Sequence, residues 1–125
     1  MAKMYIKSVD FDGEQEADIL VSDGKYEILC YALPYSAGDK EKNFTLSAFM
    51  SENVMRALKN EYSAEKTDGY YGYKLTGRLF DLKNRLVAVG GIVIELENNI
   101  PKDIAENEFA EFEVGRIDWM VIDAL

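Results

Sequence analysis

The stretch from Tyr70 to Leu96 constrains the fold of this chain more than any other. Its first part places Tyr71, Tyr73, Leu75 and Leu79 on one strand parity, with Lys74 and Arg78 on the other. Its second part, Leu86 to Ile94, is the most apolar run in the protein. Lys83-Asn84 lies between them, and Asn tolerates the left-handed geometry of a tight turn. Two apolar runs around a polar turn read as a long β-hairpin. Gly90-Gly91 within the second run predicts a bulge or a sharp bend, a usual way for a sheet to curl.

The remaining segments supply partners for that hairpin. Met4 to Phe11 and Ala17 to Ser22 read as strands, with Asp12-Gly13 as a turn between them. Asp23-Gly24 is the sharpest hairpin signal, and a type I′ turn there would lead into a third strand, Lys25 to Leu33, ended by Pro34. Tyr35 to Lys42 reads as a loop. Residues 44–58 fit either a strand followed by a helix or one helix, since Leu46, Phe49, Met50, Val54, Ala57 and Leu58 also keep a helical spacing. A strand is expected from Phe44 to Met50 and a helix from Ser51 to about Asn60. Ser51 and Asn53 suit a helix start, and Met55 to Lys59 are mostly good helix formers. Glu61 to Gly69 reads as loop, and Glu97 to Glu108 as a polar connection with Ile104 tucked inside. Phe109 to Ile122 is the last strand. Its apolar set changes parity near Gly115, which predicts a one-residue bulge there.

These elements predict a mainly β protein: a small closed or partly open β-barrel, OB-like, of about six or seven strands with one short helix. One domain is expected over residues 1–125, a length that buries roughly two-thirds of the unfolded surface. Three strings carry a resemblance: Val21 to Tyr26, Asn84 to Gly90, and Phe109 to Asp118. They resemble segments of small, uncharacterised bacterial proteins with an OB-like barrel. The resemblance implies the fold and no activity.

The composition excludes more than it assigns. There is no His and a single Cys, so a Ser-His-Asp or Cys-His pairing is impossible and zinc is disfavoured. Phosphate-loop and dinucleotide glycine motifs are missing. The chain is therefore expected to be non-enzymatic, with no catalytic, cofactor or metal residue assigned. Cys30 reads as a small buried hydrophobe. Asp10, Asp12, Glu14, Glu16 and Asp18 cluster around Gly13 and could offer oxygen ligands to a hard cation such as calcium, but their spacing fails the EF-hand test, and a solvated hairpin tip is the simpler reading. A lone cysteine and the lack of a signal-like or membrane-spanning run suggest the cytoplasm.

Two surfaces remain as candidates. Tyr70, Lys74, Arg78, Lys83 and Arg85 could stack bases and meet phosphates of single-stranded nucleic acid. The net charge of −9 counts against that partner. Glu106, Glu108, Glu111 and Glu113 could instead face a basic protein. A protein partner is the expectation preferred here. Trp119 and Met120 could seal the core or form a homodimer contact.

Overall fold

The computed structural model describes residues 3–36, 38–39 and 42–122. It is mainly β, with nine strands in one sheet among the described residues. They are β1 (Tyr5–Phe11), β2 (Ala17–Ser22), β3 (Glu27–Ala32), β4 (Phe44–Arg56), β5 (Ser63–Lys66), β6 (Tyr73–Asp81), β7 (Leu86–Val89), β8 (Ile92–Leu96) and β9 (Phe109–Val121). The order across the sheet is β1-β2-β3-β9-β4-β8-β7-β6-β5, and β9 also pairs with β6. That second pairing bends β4, β8, β7 and β6 back onto β9 as a partial ring of strands. Within that ring the shortest registered pairing is the parallel contact of β4 with β8, at Ser47↔Glu95 and Ala48↔Leu96. No helix among the described residues is long and apolar enough to cross a membrane.

The helix expected over 51–60 is not formed. β4 instead extends through Ser51 to Arg56 and pairs with β9 from Phe44↔Val121 to Arg56↔Ala110, and residues 57–60 are neither helix nor strand. A long facing strand outweighs the modest helix propensity of Met55 to Lys59. Leu58, which a helical stripe would bury, is 97% exposed. Asn53 has φ 55° and sits at the register shift between Glu52 and Met55. It is the bulge residue of a strand rather than a helix-starting residue.

Three further expectations are corrected. Gly90-Gly91 is not a bulge within one strand. It is the two-residue loop joining β7 to β8, with Val89 opposite Ile92, so the apolar run folds back on itself. No extra residue is inserted at Gly115, because β9 keeps one register on β4 from Val121 to Glu113. The buried set changes there because β9 changes neighbours, from β3 at Asp118 and Trp119 to β6 at Val114 and beyond. The polar segment 61–69 contains β5, a short edge strand on β6. Four polar or small residues suit an exposed edge, and they hid the strand from hydrophobic patterning.

The core joins Ile19, Val21, Ile28 and Cys30 with Leu75, Leu79, Val87, Ile94, Phe112 and Trp119. Ile104 is buried as expected. Gly77 is required by close packing: a Cβ on it would stand 2.5 Å from the Ala88 carbonyl oxygen. Trp119 lies in the core against Tyr35 and Phe44, with ring centres 5.0 and 5.6 Å away, while Met120 is exposed.

Candidate binding surfaces

The five residues of the expected aromatic and basic surface are spread along β6 and its ends. Nine residues of strand span about 30 Å. Tyr70 precedes β6, and its hydroxyl donates to Asp18 at 2.8 Å. Tyr71 donates to the other oxygen of Asp18 at 2.5 Å. Both tyrosines are held protonated beyond their ordinary range, Tyr70 chiefly by the Asp18 hydrogen bond and Tyr71 first by burial. This anchors the loop before β6 onto β2. The acidic cluster of the sequence lies beside it, with Asp10 opposite Asp18. Asp12 has its pKa raised by desolvation and then by Asp18. Among the described residues, no group of three His, Cys, Asp or Glu side chains is arranged to hold a metal ion.

Lys74 faces outward on β6, opposite Glu65 of β5 on one side and Glu113 of β9 on the other. Lys83 is exposed in the β6–β7 turn. Arg85 has φ 56° and directs its Nε to the Leu96 carbonyl at 2.9 Å. Arg78 stands on the outer face of β6, its guanidinium 3.3 Å from the neutral Asn107 amide oxygen.

The four glutamates also divide. Glu106 accepts from the Leu82 amide at 3.0 Å. Glu108 accepts from the Ala105 amide at 2.6 Å and lies 3.7 Å from Arg56. These two hold the 97–108 connection in shape. Glu111 and Glu113 point outward from β9, and Glu113 is directly opposite Glu52 of β4. A transverse row therefore runs Glu65, Lys74, Glu113, Glu52, with three carboxylates and one ammonium. Asp68 joins Glu52 and Glu113 around a hollow of about 320 Å³. The Asn53 amide nitrogen donates to Glu113 at 3.0 Å.

A larger feature was missed in the sequence. A cleft of about 720 Å³ opens on the outer face of β6, β7 and β8. Its floor is the row Arg78, Ala88, Val93, set by the pairings of those strands. Phe80 extends the floor, and Phe44 and Ile122 form a wall where β4 begins and β9 has ended. Phe44 is fixed by stacking on Trp119 at 28° between the ring planes. Lys3 and Lys42 join Arg78 in the lining, and no carboxylate lines the cleft among the described residues. Phe80, Ala88 and Val93 break the inside–outside alternation of their strands. Apolar residues on the outward parity were the available signal.

The fold and these two surfaces define a mainly β protein with carboxylates of β4, β9 and the loop before β6 around one hollow and only basic charged side chains among the described residues lining the cleft. No protein-family model matches the chain, and neither a curated protein nor a solved structure is significantly similar to it.

Proposed function

We propose that this chain is a non-enzymatic binding module, OB-like in architecture, whose partner is another protein with a basic surface. The supporting observation is the cross-strand pair Glu52 and Glu113. Like charges facing each other across neighbouring strands work against folding. With Asp68 they surround one hollow, and an inserted Lys or Arg side chain would turn their repulsions into attractions. The net charge of −9 adds steering toward a basic partner. Single-stranded nucleic acid is the weaker reading. Lys74 sits between two glutamates, Arg85 is tied to its own turn, and Tyr70 lies beyond the far end of β6.

The test is capture from cell extract on the immobilised protein, compared with the double variant Glu52→Gln/Glu113→Gln. Basic proteins should be retained by the native chain, released by salt, and absent from the variant. Equal retention by both, or none by either, would overturn the reading. Fluorescent single-stranded DNA and RNA at low salt should not bind. Salt-sensitive binding lost on Lys74→Glu/Arg78→Glu would transfer the function to nucleic acid.

A further inference from the structure

We propose that the cleft over β6, β7 and β8 is a binding site for a small amphipathic organic anion, with one carboxylate or phosphate head on an apolar body. Its volume of about 720 Å³ falls within the usual range for small-ligand sites. Charge complementarity points to the sign of the ligand. The protein carries 23 acidic and 14 basic residues, yet the described lining contributes Lys3, Lys42 and Arg78 and no carboxylate. Lys42 is paired with Asp39 at 3.0 Å. Among the described residues, Arg78 makes its one side-chain hydrogen bond to a neutral amide, Asn107, at 3.3 Å. Its planar fork can hold a carboxylate or phosphate through two parallel hydrogen bonds. The rest of the floor and wall is mostly apolar, with Phe80, Ala88, Val93, Phe44 and Ile122 beside one neutral polar residue, Asn43. A ligand with its head on Arg78 would lay its body along Val93 toward Phe44. This surface is separate from the acidic hollow, so the inference stands whether or not a basic partner binds there.

The test uses decanoate, kept below its micelle-forming concentration and titrated into isotope-labelled protein. Decyltrimethylammonium supplies the same tail with the opposite head. Decanoate should shift the amide signals of Gly90, Gly91, Val93 and Ile122 saturably, and the ammonium should not. Decyl phosphate in a parallel titration identifies the preferred head. Arg78→Met keeps the aliphatic stem and should weaken the anion about tenfold or more. Val93→Trp fills the floor and should abolish binding. No saturable shift with either anion, or equal binding of the ammonium, would overturn the proposal on the native protein alone. Affinity unchanged in both variants would overturn it as well.

Discussion

The Gly91 amide donates to the Asp23 carboxylate at 2.6 Å, across 68 residues of chain. The other Asp23 oxygen accepts from the amides of Lys25 at 2.9 Å and Tyr26 at 2.7 Å. One side chain thus shapes the β2–β3 turn and fastens it to the β7–β8 turn. The turn differs from the expected type I′ geometry. Gly24 has positive φ and Asp23 does not, because Asp23 closes the loop with its side chain. Asp23→Ala should cost about 3 kcal/mol by leaving three amides without this acceptor. Asp23→Asn should cost about 1 kcal/mol, since one oxygen becomes a donor. Gly90 has φ +62°, and a Cβ there would stand 2.5 Å from Asp23 Oδ2. Gly90→Ala should therefore cost about 2 kcal/mol. Urea unfolding of the three variants checks the order.

The same carboxylate predicts the acid limb of stability. Burial opposes the Asp23 charge, but the amides of Tyr26, Gly91 and Lys25 outweigh it and hold the pKa below the ordinary carboxylate range. A depressed folded pKa gives stability that is complete above the unfolded value of about 3.9. It is lost as pH falls through the folded value. Melting temperature followed downward from pH 6 should drop below about pH 4, and Asp23→Asn should flatten part of that drop. Tyr71 and Tyr73 act at the other end, both raised chiefly by burial. Their contribution is present below about pH 10 and fades above it. Tyr71→Phe should reduce the alkaline loss.

Asn53 distinguishes the observed strand from the helix that propensity suggests. In a helix, Asn53→Ala would stabilise and Asn53→Gly would not. At φ 55° in a bulge the order reverses. Gly should be neutral or slightly favourable, whereas Ala should cost about 1 kcal/mol. Two denaturation curves decide it, and circular dichroism of the native protein should lack a helical signature.

Cys30 should resist thiol reagents in the folded protein. It is fully buried on β3, and burial, followed by the Asp118 charge, raises its pKa. The thiolate is the reactive form, so labelling requires opening of the sheet. The native labelling rate should fall by orders of magnitude below the rate in urea. Fast native labelling would place β3 elsewhere.

Local alternation made β2 and β3 readable, since each keeps one parity between turn residues, whereas β1 was readable only in two halves, because its register on β2 shifts between Ile6 and Ser8. The long strands β4 and β9 were harder because their pairing partners are distant in the chain. Which half of β9 is covered, and on which face, depends on β3 and β6. No local pattern carries that information. Gly90-Gly91 was legible as a two-residue turn, but the unbroken apolar run around it suggested a single strand. Among the candidate site residues, Glu111 and Glu113 show their outward parity in the sequence. The involvement of Glu52 and Asp68 depends on strand register and on a loop. The cleft was legible only as the apolar outward residues Phe80, Ala88 and Val93, which by themselves also fit a covered sheet.

The acidic row predicts that binding and stability respond in opposite directions to charge reversal. Glu113 already faces Lys74 across β6 and Glu52 across β4. Glu52→Lys replaces a repulsion by an attraction at one cross-strand position. It should raise stability by about 0.5 kcal/mol, the scale of an exposed pair. Glu113→Lys also relieves Glu52 but sets two cations opposite each other at Lys74, so its net effect should lie near zero. Added salt should shrink the Glu52→Lys gain, because exposed charges are screened. Both substitutions should weaken a basic partner. A Glu52→Lys variant that is more stable at low salt and still binds basic proteins would separate the hollow from the function proposed for it.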